Sequence, residues 1–105
     1  MTLEVFYKKI KEALDIDIAY DHFNESPKIP FLVYVDEGEN KFIADGTVYT
    51  SKRRLRLEQY TEEKDLHLEE KLRAFLIEER INFSDDGTEY IADEKLYVHY
   101  YHISI

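Results

Sequence analysis

The chain contains no cysteine and no tryptophan, three glycines, two prolines and one methionine in 105 residues. Without cysteine there are no disulfides, no thiol nucleophile and no cysteine-held zinc. Three glycines leave no material for a phosphate-cradling loop, and no nucleophile elbow is present. No apolar run approaches the ~20 residues that span a bilayer, so no membrane partner is expected. Met1-Thr2-Leu3-Glu4-Val5 lacks the basic-then-apolar order of a secretory leader. Basic residues are outnumbered, 14 to 23, for a net charge of −9. That field opposes stable nucleic-acid binding.

What is present argues for one folded domain over 1–105. Apolar residues make up 44% of the chain, and nine of the 15 aromatics are tyrosines. A domain of this size buries roughly 65% of its extended-chain surface, which is one modest core. Tyrosine joins an apolar body to a polar tip and suits half-buried sheet faces and assembly contacts.

Hydrophobic periodicity supplies the elements. Leu3, Phe6, Tyr7, Ile10, Ala13 and Leu14 trace a helix face, with Thr2 as cap. Ile16–Tyr20 reads as a short extended piece, and the prolines in 24–30 mark a loop. Phe31–Val35 is an apolar strand, broken at Glu37-Gly38-Glu39-Asn40 before a short piece at 42–44. Asp45-Gly46 signals a tight turn into a long strand from Thr47 to Tyr60. Asp65 caps a second helix whose face runs through Leu68, Leu72, Phe75 and Leu76. Asp85-Asp86-Gly87 reads as a second hairpin turn, and a final strand spans Lys95–Ile105. The order α-β-β-α-β-β predicts an α+β fold, with two helices on one face of a four- to five-stranded, mainly antiparallel sheet.

Two helices cover one sheet face, yet Phe31–Val35 and the last strand do not alternate cleanly. Leu96, Val98 and Tyr100 point one way; Tyr97, Tyr101, Ile103 and Ile105 point the other. The second face is therefore expected to be apolar and to meet another protein; the alternative is that tyrosine tolerates partial exposure and the loops cover the rest. Tyr34, Tyr97, Tyr101 and Ile103 are candidate subunit contacts. So are Lys52, Arg53, Arg54 and Arg56. In a strand Lys52, Arg54 and Arg56 share one face, opposite Arg53, Leu55 and Leu57. The stripe suits a solvated outer face or acidic groups of a neighbouring subunit, and less well direct DNA contact, which the whole-protein field opposes.

Catalytic constellations are sparse. His99 and His102 fall on opposite strand faces and cannot share a metal. His67 and Glu70 share a helix face but make two ligands, not a site. His22 beside Asp21 reads as surface. Glu69 and Arg73 have the i,i+4 spacing of a solvated helix face. No catalytic residue, metal or cofactor is expected, and the chain reads as a non-enzyme.

The segment Asp45–Thr61 running into Lys64–Leu72, with Pro30-Phe31-Leu32-Val33-Tyr34 before it and Glu94-Lys95-Leu96-Tyr97-Val98 after it, resembles the small tail-component proteins of long-tailed phages and prophages of Gram-positive hosts. The resemblance covers nearly the whole chain and rests on element order and short phrases. These proteins are likened to tail terminators or head–tail joining proteins. The resemblance implies a structural virion component that forms a ring, commonly of six copies, on the tail tube. Such a protein can stay monomeric until the tube nucleates it. The implied partners are further copies of the chain, the major tail tube protein and a head-connector protein. The implied places are the host cytoplasm during assembly and the virion tail. An acidic lumen would keep DNA off the wall. Asp36, Glu37, Glu39 and Asp45 in the first hairpin region, and Asp85 and Asp86 in the second, are the candidates for it. The alternative is an acidic binding protein that blocks a host nucleic-acid-binding protein by charge mimicry.

Overall fold

A computed structural model describes residues 1–44 and 46–105, with side chains at 1–39, 46 and 52–105. The elements are α1 (Leu3–Leu14), β1 (Asp17–Tyr20), β2 (Phe31–Ala44), β3 (Thr47–Thr61), α2 (Leu66–Glu78), β4 (Asn82–Ile91) and β5 (Leu96–Ser104). The fold is α+β. Five strands form one sheet in the order β1-β2-β3-β5-β4. Only β1 pairs in parallel, with β2; the other neighbours are antiparallel.

Both helices start where the cap chemistry directs. The Thr2 hydroxyl accepts from the Val5 N–H, and the Asp65 carboxylate accepts from the Leu68 N–H. These caps satisfy N–H groups that a helix's first turn leaves without partners. α2 stops at Glu79. Arg80 then takes a positive φ of 57° and the Ile81 N–H bonds back to the Leu76 carbonyl. Ile81 is thereby folded into the core.

The core lies between the helices and one sheet face. Phe6, Ile10 and Leu14 of α1 and Leu68, Leu72, Phe75 and Leu76 of α2 meet Leu32, Tyr34, Leu55, Leu57, Tyr101 and Ile103. Phe6 sits at the junction. Its ring is edge-on to Tyr34 at 5.5 Å and to Phe75 at 6.2 Å.

Two breaks expected from the sequence are bulges inside continuous strands. β2 runs through Glu37–Asn40 and its register slips between Asp36 and Glu39. β4 runs through Asp85-Asp86-Gly87, with a slip between Asp85 and Thr88. The two bulges share a device. Gly38 and Gly87 take φ of +100° and +91°. Each glycine N–H donates to the aspartate two residues before it, Asp36 at 2.8 Å and Asp85 at 3.1 Å. An added Cβ would be strained in either place. The turn joining β4 to β5 lies instead over 92–95.

The molecule is elongated, 50 × 26 × 25 Å. The length comes from the β2–β3 hairpin. β5 accompanies β3 only as far as Arg53, whose N–H and carbonyl pair with Ile105. β1 accompanies β2 only from Phe31 to Tyr34. From Glu39↔Arg53 outward, β2 and β3 pair with each other alone, to Ala44↔Thr47. At about 3.3 Å per residue, this two-stranded arm reaches ~15–20 Å past the sheet.

Candidate functional site

The expected interface residues fall into three groups. Tyr34, Tyr101 and Ile103 are core residues, exposed by 5%, 0% and 2%. They do share faces as the strand period requires, but their face is the one the helices cover, so they are not available to a subunit. Tyr97 is half-buried beside Tyr90, at a ring distance of 4.9 Å. The basic stripe divides as the strand period predicts: Lys52, Arg54 and Arg56 lie opposite Arg53, Leu55 and Leu57, with both leucines buried.

Two of those arginines are neutralised within the chain. Arg53 bonds Asp36 at 2.5 Å and Glu39 at 3.3 Å. Arg56 bonds Glu37 at 3.1 Å and Glu58 at 2.7 Å. Arg54 donates to the Glu37 carbonyl. Among the described residues no carboxylate pairs with Lys52 or Arg54. Among the described residues, positive charge is therefore left unneutralised at the root of the arm.

The candidate lumen carboxylates are engaged in the same way. Asp36 anchors the first bulge. The Gly38 N–H, then Arg53, hold its carboxyl below the ordinary 3.8, against the opposing effect of burial. Glu37 lies between Arg56 and His102, and Asp86 bonds His102. Asp85 faces the helices. Asp36, Glu37 and Glu39 thus belong to a strand and not to a loop, and Asp85 and Asp86 belong to a bulge and not to a turn. Asp45 lies outside the described residues.

This pairing changes the reading of the second sheet face. Val33 and Val98 are buried there, at 7% and 0% exposure. Phe31 stacks on Tyr60 at 4.7 Å, with Phe23 edge-on at 5.4 Å from the preceding loop. The Tyr60 hydroxyl donates to Glu58. The large exposed apolar side chains, such as Tyr7, Tyr20, Ile29, Leu66 and Ile77, lie elsewhere. The expected apolar excess on this face is not found among the described residues, because the chain's own aromatics, loop and ion pairs close it.

On the helix side a polar cluster joins α2 to the second bulge. His99, 9% exposed, bonds Asp85 through Nε2 at 2.6 Å and Glu69 through Nδ1. Lys64 reaches Glu69 at 2.7 Å and the Thr88 hydroxyl at 2.9 Å. Arg73 bonds Asp85 at 2.7 Å instead of pairing with Glu69. The His99 ring stacks on Tyr101 at 4.5 Å. The Gln59 amide, the Tyr101 hydroxyl and Glu69 Oε2 are buried at this cluster without hydrogen-bond partners among the described residues. Strand period separates His99 from His102 by face, but Glu69, Lys64 and Thr88 reach His99 only through the tertiary register. No group of three or more metal-binding side chains occurs among the described residues, and no helix is long and apolar enough to cross a membrane.

The cluster fixes α2 to the sheet, and its loss is measurable. Replacing His99 by alanine strips partners from two carboxylates and is expected to cost about 3 kcal/mol. His22→Ala, at an exposed ion pair with Asp21, should change stability in urea unfolding by no more than about 0.5 kcal/mol. Asp85 gives the pH signature. Burial raises its pKa, but the His99 hydrogen bond, the Gly87 N–H and the charges of His99 and Arg73 outweigh it and hold the carboxyl below 3.8. A lowered folded-state pKa means a contribution complete above the ordinary carboxylate value and lost as pH falls toward the folded one. Urea midpoints should therefore fall more steeply with acidification for the wild type than for Asp85→Asn.

No protein-family model matches the chain, and no curated protein matches it.

Proposed function

We propose that this protein is a structural component of a phage or prophage virion, most like a tail terminator or head–tail joining protein that forms a ring on the tail tube. The observation that carries the reading is the β2–β3 arm. Beyond Glu39↔Arg53 it pairs with no other strand among the described residues. A two-stranded ribbon is marginal in water by itself and exposes two open backbone edges. Its natural stabilisation is a neighbouring subunit. The resemblance of the sequence to small tail components names the kind of assembly. The ring, commonly of six copies, would meet the major tail tube protein on one side and a head-connector protein on the other. The mechanism is recognition without chemistry. The protein would act in the host cytoplasm during assembly and remain in the virion tail.

Charge mimicry is less favoured. A mimic displays rows of free carboxylates; on the second sheet face Glu37, Glu58 and Asp86 are instead engaged by Arg56 and His102.

Mixing the protein with cognate tail tubes tests the proposal. Electron microscopy should show added density at one tube tip only, and a phage lacking the gene should make tails of irregular length. Normal tails from the deletion phage would remove the reading.

A further inference from the structure

The end of the molecule away from the arm has the opposite character to the arm's root. It is formed where β2 begins, β3 ends and β4 turns into β5. An open cleft there is lined by Ile29, Pro30 and Leu66 together with Glu62, Glu63 and Lys64. Ile29 and Leu66 are exposed by 40% and 66%. Glu62 and Glu63 are exposed, as are Asp93 and Glu94 in the nearby β4–β5 turn. Lys64 also borders the cleft, half-exposed, and pairs with Glu69 and Thr88 rather than with Glu62 or Glu63. The result is an apolar floor rimmed by carboxylates that no cation neutralises among the described residues.

At the other end, Lys52 and Arg54 lie at the root of the arm, Lys52 exposed and Arg54 exposed in its strand, and no described carboxylate pairs with them. A molecule with two different complementary patches at opposite ends associates head to tail, and a head-to-tail contact closes into a ring when its rotation allows. We infer that the Ile29–Leu66 cleft receives the root of the β2–β3 arm of a second copy, with Lys52 and Arg54 of that copy set against Glu62 and Glu63. The inference rests on the proposed ring and names its subunit contact. It also explains why a net acidic chain concentrates four of its cations at 52–56. Opposite charges steer the two ends together and disfavour end-to-like-end pairing.

The absence of native cysteine makes disulfide trapping clean. Lys52→Cys and Leu66→Cys proteins, prepared separately and mixed at millimolar concentration under mild oxidant, should give the mixed dimer in clear excess over either homodimer. Adding Glu62→Lys and Glu63→Lys to the Leu66→Cys protein should lower that yield about tenfold, as repulsion replaces attraction. Adding Arg54→Glu to the Lys52→Cys partner should recover it. Homodimers equal to the mixed dimer, no mixed dimer, or a yield indifferent to the charge reversals would overturn the contact. A predominant homodimer of the Leu66→Cys protein would overturn it too and assign the cleft to a symmetric pair. Capture only by a foreign basic protein would assign the cleft to that protein. The assay needs no tail tubes. Tube capping by wild type with failed trapping would reject this contact and leave the proposed function standing. Trapping without capping would do the reverse.

Discussion

Removing the arm is expected to abolish tube capping while leaving the domain folded. Glu39 and Arg53 are opposed partners in the β2–β3 ladder. Replacing residues 40–52 by Asn-Gly closes the hairpin there with a two-residue turn, the length and sequence best matched to strand twist. Every described residue of the buried cluster lies outside the excised segment. The Asp36–Arg53 pair and the Arg53–Ile105 backbone bonds also remain. Urea unfolding should give a stability within about 1 kcal/mol of wild type. Electron microscopy of tubes mixed with the shortened protein should show bare tips. Capping at wild-type levels by the shortened protein would mean that the arm is not an assembly element.

The largest effect on stability is expected at Phe6. This ring is fully buried and touches α2 through Phe75 and the sheet through Tyr34. It is the one aromatic that joins both helices to the strands in these pairings. Truncation to alanine loses the transfer free energy of the ring and leaves a cavity that its packed neighbours cannot fill, at a cost of about 3–5 kcal/mol. A domain of this size has a total stability of roughly 5–15 kcal/mol. The variant should therefore unfold at a much lower urea midpoint with an unchanged m-value. Ile77→Ala, on the outer side of α2 at 65% exposure, should change stability by no more than about 0.5 kcal/mol. Equal effects from the two would mean that α1 does not hold the sheet and α2 together.

Local rules are enough for the helices and for much of the sheet. Thr2 and Asp65 are capping residues in sequence and in structure, because a cap depends on neighbours within three positions. The faces of β3 follow from a period of two, which needs no tertiary information. The bulges show where local rules end. A hairpin turn and a glycine bulge both need a positive φ at glycine with an aspartate shortly before it, so Asp-x-Gly alone does not distinguish them. The difference lies in β3 and β5, which continue past the bulges and hold the chain straight. The closure of the second sheet face is hidden from the sequence for a similar reason. His102 meets Glu37 from a position 65 residues away, counting 102 minus 37, and only the strand order brings them together. Tyr101 and Ile103 share a face by periodicity, but periodicity does not say which face the helices choose.

The two terminal strands of the sheet bear on how large an assembly can grow. β1 offers only four residues, and β4 is interrupted by its bulge with Asp85 and Asp86 beside it. A short border and a kinked, charged one are both poor templates for another chain's backbone. These two borders therefore offer little for strand-upon-strand stacking, and the open backbone edges lie along the β2–β3 arm. In the proposed ring, attachment would fall to a single directional projection, and a set of subunits joined that way would be complete once the last projection found the first subunit.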